Sequence, residues 1–177
     1  TLPPLNVQAQ IETPSTVAVT WENPTGGGPG STLSDGFESY PDFAVSFTPW
    51  VLVDVDGCPT YGIQGMSWQN QFDAQSFIIF NPNQTTPPLT SFTAHSGEKA
   101  AVCFNSTQPP NDDWMITPLL MPQAGDEFKF WARSYSSDDG LERIRVAVSQ
   151  GSTVPADFTI ISGATYIEVP TTWTQYT

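Results

Sequence analysis

Seventeen prolines and thirteen glycines are spread along the 177 residues, and their spacing leaves long helices nowhere to form. Between these breaks lie short runs of β-branched and aromatic residues, the pattern of an all-β sandwich or barrel. The clearest run is Glu127-Phe128-Lys129-Phe130-Trp131-Ala132-Arg133. Side chains alternate across a strand, so Phe128, Phe130 and Ala132 are predicted on one face and Lys129, Trp131 and Arg133 on the other. Glu142-Arg143-Ile144-Arg145-Val146-Ala147-Val148 alternates in the same way, with Ile144, Val146 and Val148 predicted inward and the arginines outward. The turn-rich Ser136-Ser137-Asp138-Asp139-Gly140 between them predicts that these two strands pair as neighbours. Further strands are expected at 47–53, 76–80, 99–104, 114–117, 158–161 and from Thr172 onward.

The N-terminal part reads as a separate piece. Leu5 to Ile11 and Val17 to Trp21 alternate as two strands, and Pro24-Thr25-Gly26-Gly27-Gly28-Pro29-Gly30 follows as a flexible break. A start on Pro3-Pro4-Leu5 and a close on Val19-Thr20-Trp21 resemble the first two strands of a fibronectin type III domain. The expected organisation is therefore a partial fibronectin-like segment over 1–24, a linker over 25–33 and a main domain over 34–177.

Charge excludes some functions. Eighteen acidic residues against five Lys and Arg give a net charge of −13. A nucleic-acid binder needs a basic footprint to displace counterions from phosphate, and none is present. No apolar run reaches the roughly 18 residues of a membrane span, so no membrane insertion is expected. An acidic surplus suits a soluble extracellular protein, and it also suits hard Ca²⁺, which takes carboxylate and carbonyl oxygens. Two cysteines, Cys58 and Cys103, are too few for a zinc cage or a disulfide scaffold. A bridge between them would close a loop of roughly 45 residues, contributing about 4 kcal/mol, whereas the apolar strand around Cys103 favours a buried free thiol.

Two places are candidates for calcium. In Asp54-Val55-Asp56-Gly57, alternate carboxylates on an extended turn can aim oxygens at one cation, although Asp and Gly also form such turns unaided. The second candidate joins Asp35 or Glu38 with Gly97-Glu98, provided the fold brings the opening segment beside that loop. Tyr61, Trp68 and Tyr135 lie in or near loops and are candidates for stacking on a sugar face; packing is the competing role for each. Trp21, Trp114 and Phe130 are expected to serve the core. His95, the single histidine, has no nucleophile placed beside it by sequence, and no Gly-x-Ser-x-Gly elbow occurs. Among eighteen acids, no motif selects two as a glycosidase pair. The sequons at Asn83 and Asn105 matter only in a host that glycosylates asparagine.

Four segments, in order, carry a resemblance to the cleaved-adhesin family, also called the choice-of-anchor J domain. They are Asp35-Gly36-Phe37-Glu38, Trp50 to Gly57 with its Asp-x-Asp-Gly turn, Asn111-Asp112-Asp113-Trp114-Met115-Ile116-Thr117-Pro118, and Phe128-Lys129-Phe130-Trp131-Ala132. The resemblance implies a jelly-roll β-sandwich of galactose-binding-like type without catalytic residues, serving adhesion on an exported bacterial multidomain protein. It implies carbohydrate or a host extracellular protein as partner, other domains of the parent protein as neighbours, a secreted or cell-surface location, and structural calcium favouring the opening segment. Two departures stand out. Cys58 follows the Asp-x-Asp-Gly turn, and the chain stops at Thr177 where the family runs on through further strands, so either a fragment or completion by another chain is expected. A structural spacer beside a protease or glycosidase domain is the alternative role, and a carboxylate-dependent glycoside hydrolase the third.

Overall fold

The computed structural model describes residues 33–177 in full and, before them, the backbone of two strands. The chain is all-β. Its elements are β1 (Leu5–Thr13), β2 (Thr16–Glu22), β3 (Val51–Asp54), β4 (Ile78–Phe80), β5 (Ala100–Val102), β6 (Asp113–Ile116), β7 (Phe130–Ala132), β8 (Arg143–Ile144), β9 (Ala147–Val148), β10 (Thr159–Ile160), β11 (Ile167–Glu168) and β12 (Thr174–Tyr176). The only helical pieces among the described residues are two 3₁₀ turns, Pro82–Gln84 and Pro155–Asp157, each opening on the proline that fixes its φ. No helix among the described residues is long and apolar enough to cross a membrane.

Two compact units form. One contains Thr1–Leu33 with Pro118–Asp126; the other contains Ser34–Thr117 with Glu127–Thr177. In the first, β1 and β2 make an antiparallel hairpin with register shifts at both ends. The expected linker 25–33, apart from Leu33, and the core role of Trp21 lie outside the described residues.

The second unit holds five antiparallel ladders, β3–β6, β4–β5, β7–β12, β8–β11 and β9–β10, which backbone hydrogen bonds do not merge into larger sheets. Its core is built on β4, where Ile78, Ile79 and Phe80 are all buried. A strand buried on both faces has to be apolar at every position, and this one is. On one side it pairs with β5; on the other, Phe43 N donates to Ile79 O (2.7 Å) and Ile79 N donates to Ala44 O (2.9 Å). Phe43, Ile78, Phe80, Leu89, Phe92 and Ala100 close the core, with Trp68, Phe104 and Trp173 packed on it.

The expected pairing of the 127–133 and 142–148 strands is not what forms. The later chain returns between them, so that β7 pairs with β12 and β8 with β11. Ser134, fully buried, is the reason: its N donates to Pro170 O and its Oγ donates to Val169 O (2.6 Å) while accepting from Glu142 N (2.9 Å). One hydroxyl thus serves both the 142 and the 169 segments, and Val169 N donates to Glu142 O between them. The 142–148 run is also split. Val146 N donates to Ser162 Oγ, its carbonyl accepts from Ile161 N, and Val148, expected inward, is exposed beyond that break. Phe128, likewise expected inward, is exposed just before β7 begins.

Candidate functional site

The register of β3 on β6 sets Val51 opposite Ile116 and Asp54 opposite Asp113. This brings the Asp-x-Asp-Gly turn against the Asn-Asp-Asp run, and one carboxylate oxygen from each of Asp54, Asp56 and Asp113 lies within 4.8 Å of the others. Local bonds set the turn. Asp54 Oδ1 accepts from Gly57 N (2.6 Å), Gly57 takes the left-handed φ of +63° that its lack of a Cβ permits, and Asp56 accepts from Cys58 N and Asp112 N.

These three carboxylates are not equivalent. Burial pushes Asp56 up, but the backbone N–H groups of Asp112 and Cys58 outweigh it and hold the carboxyl below its ordinary value. Asp113 goes the other way, to about 6: burial raises it, the Cys103 thiol bond only partly offsets that, and the charges of Asp54, Asp56 and Asp112 add to the rise. Its Oδ2 accepts from Cys103 Sγ (3.3 Å) and Asn111 Nδ2 (2.9 Å), while its Oδ1 is buried with no partner. A carboxyl group with one buried, unpartnered oxygen, clustered with two further carboxylates, is a donor set that a hard divalent cation satisfies. Calcium fits here. Asp54, Asp56 and Asp113 would hold it, and its charge would relieve their mutual repulsion.

Both cysteines are free thiols. Cys103 is kept protonated by burial and by the charge of Asp113, which push its thiol well above the ordinary value.

The opening segment is beside the 97–99 loop, as the second calcium candidate requires, but its groups are otherwise engaged. Asp35 Oδ2 accepts from Tyr40 Oη (2.6 Å) and Trp50 Nε1 (2.7 Å), and its Oδ1 accepts from Phe37 N. Burial first, then the adjacent Asp35, pushes the Tyr40 hydroxyl up to about 12. Glu38 Oε1 accepts from Glu98 N and Lys99 N, so it caps that loop by its carboxylate, and Glu98 contributes its backbone while its side chain stays exposed. The ammonium of Lys99 lies against the Glu38 and Tyr40 carbonyls and Asp42. The Asp35 and Glu38 carboxylates thus serve here as acceptors for the chain's own donors.

The candidate ligand aromatics separate by environment. Trp68 is a packing residue, stacked on Phe104 and edge-on to Phe80. Tyr61 is exposed, with its backbone N held by Asn105 O and no ring partner among the described residues. Tyr135, 45% exposed, shares a hydrogen bond with Ser91 Oγ (2.9 Å). It belongs to a surface that the sequence did not single out. The segment 91–95 runs antiparallel over one face of the β7 chain: Ser91 meets Tyr135, Phe92 lies under the Arg133 guanidinium, and His95 stacks on Trp131 with ring centres 4.1 Å apart. Trp173 supports it from β12's side, edge-on to His95 and donating from Nε1 to Thr93 O. Trp131 is still 43% exposed. Trp131 and Tyr135 are four residues apart in the chain, with Gln175 opposite Trp131 in the ladder.

Comparison with protein-family models, with curated proteins and with solved structures gives no match for this chain.

Proposed function

We propose that this chain is a non-catalytic adhesion module of an exported multidomain protein and that it binds carbohydrate by stacking a sugar ring on Trp131. The observation that carries the reading is a flat, exposed indole held in place by His95 and by the 91–95 segment. An aromatic whose orientation is already set loses little conformational entropy when a ligand stacks on it. Tyr135 offers a second ring along the same face, and Gln175 and the Tyr135 hydroxyl supply hydrogen bonding at its two ends. The net charge of −13 favours a neutral glycan over an anionic one. The four-segment resemblance to cleaved adhesins agrees with adhesion, with a secreted or surface location and with assembly of the ladders into a jelly-roll sandwich. Calcium at Asp54, Asp56 and Asp113 has a structural role in this reading, joining the β3 and β6 ends.

The test is a glycan array followed by affinity electrophoresis in neutral polysaccharides. Trp131→Ala abolishes retardation, Tyr135→Ala weakens it and Tyr61→Ala leaves it unchanged. Retention of full binding by Trp131→Ala refutes the assignment.

A second reading has one observation in its favour. Asp113 and Asp56 are driven in opposite directions, the arrangement by which a carboxyl pair divides acid and base roles in glycoside hydrolysis. Hydrolysis of a polysaccharide that is lost in Asp113→Asn would establish it in place of simple binding.

A further inference from the structure

The opening segment and the start of β5 enclose a cation that belongs to the chain itself. Lys99 Nζ donates to Tyr40 O (2.7 Å), to Asp42 Oδ1 (3.0 Å) and, at longer range, to Glu38 O (3.4 Å). These acceptors come from residues 38, 40 and 42 of one short stretch that turns twice, where Tyr40 N donates to Phe37 O and Ala44 N to Pro41 O, and all three oxygens reach the ammonium. Asp42 Oδ1 also accepts from Asn81 Nδ2 (3.1 Å), and Asn81 is only 2% exposed. The β4–β5 register places Asn81 opposite Lys99, one step beyond Phe80 and Ala100, so the ladder delivers both groups to the same carboxylate. The Lys99 side chain is 15% exposed and its backbone N is held by Glu38 Oε1 (2.9 Å).

Two backbone carbonyls and a carboxylate converging on one point are a donor set for a hard, oxygen-seeking cation. The ammonium supplies three N–H groups for these three oxygens, and its single charge matches the single charge of Asp42. We propose that Lys99 is a tethered monovalent cation filling an oxygen-lined site, and that this lysine makes the opening segment independent of any free ion. The proposal departs from the calcium that family resemblance leads one to expect at this place. It does not depend on the glycan reading. Without the ammonium, two carbonyls and a carboxylate face each other, and the turn that carries Tyr40 and Asp42 keeps only the Glu38 carboxylate bonds to the Glu98 and Lys99 N–H groups as its tie to the start of β5.

The test uses the full chain with Asp54→Asn as background, so that the other carboxylate cluster does not report. Lys99→Ala lowers Tm by about 4–8 °C, as expected for opening a half-buried ion pair. Ethylammonium, which restores the missing end of the side chain, recovers part of that loss; tetramethylammonium at equal ionic strength does not, since it has no N–H to donate. Lys99→Met, which fills the space without the charge, is destabilised and is not rescued. If Lys99→Ala does not fold, the double-mutant cycle of Lys99→Met with Asp42→Asn decides, and a Tm loss in the pair no larger than in either single variant supports the site. Equal stability of Lys99→Met and the parent, no rescue of Lys99→Ala specific to ethylammonium, or full additivity in the cycle overturns it.

Discussion

Replacing Asp113 by Asn separates the electrostatic account of the carboxylate cluster from a merely structural one. Asp113 titrates near 6 when folded against an ordinary value of 3.8. Below pH 3.8 both states hold the proton and the shift costs nothing. As pH rises from about 4 to 6 the unfolded carboxyl ionises first, so stability falls across that window, and above it the penalty is constant. At about 1.4 kcal/mol per pH unit the full shift corresponds to about 3 kcal/mol. Partial exposure and solvent screening reduce this to about 1–2 kcal/mol. The amide keeps an acceptor for Cys103 Sγ and Asn111 Nδ2, and it turns an N–H toward the position of the unpartnered Oδ1. Asp113→Asn in chelator at pH 7 is therefore expected to melt about 3–6 °C higher than the parent and to lose the decline between pH 4 and 6. Calcium should reverse the order, because the parent gains a ligand-linked increment that the amide variant lacks. Differential scanning calorimetry from pH 4 to 7.5, with chelator and with calcium, measures all three. A lower Tm for Asp113→Asn in chelator at pH 7, or a parent whose stability rises from pH 4 to 6 by the same amount in both proteins, would refute the reasoning.

Other expectations follow from the same geometry. Asp54→Asn and Asp56→Asn should each remove most of the calcium-induced rise in Tm, and a rise as large as the parent's would move the ion elsewhere. Gly97→Ala should destabilise by about 1–3 kcal/mol, read by urea titration, because its φ of +65° disfavours a side chain and its Cβ would meet the Glu38 carboxyl group. Ser134→Ala leaves Val169 O and Glu142 N without their buried hydroxyl partner and should cost about 1–3 kcal/mol; Ser134→Thr, which keeps the hydroxyl, serves as the control.

The class of fold was legible from local signals. Proline and glycine punctuation excludes long helices wherever it falls, and alternation within 127–133 marks a strand because side-chain direction on an extended chain is a near-neighbour property. The acidic turn was legible too, since Asp54 and Asp56 sit on a turn whose Asp and Gly shape it locally, whereas Trp131 was readable only as an outward-facing strand residue and not as a candidate site. Partner choice was another matter. Pairing depends on which distant segment satisfies a buried polar group, and at Ser134 that segment comes from residues 169–170 rather than from the nearer strand. Trp68 reads the same as an exposed loop aromatic until Phe80 and Phe104 close on it. Asp113 gains its perturbed titration only when β6 lies against β3, since burial and like charge are properties of the assembled site. Lys99 and Asp42, 57 positions apart in the chain, become an ion pair only because the β4–β5 register carries lysine to the opening segment. Sequence by itself determined the repertoire of strands, the acidic balance and the reactive groups available. Only the tertiary structure decided which of those groups meet, because every such meeting is a long-range contact whose energy is absent from the local chain.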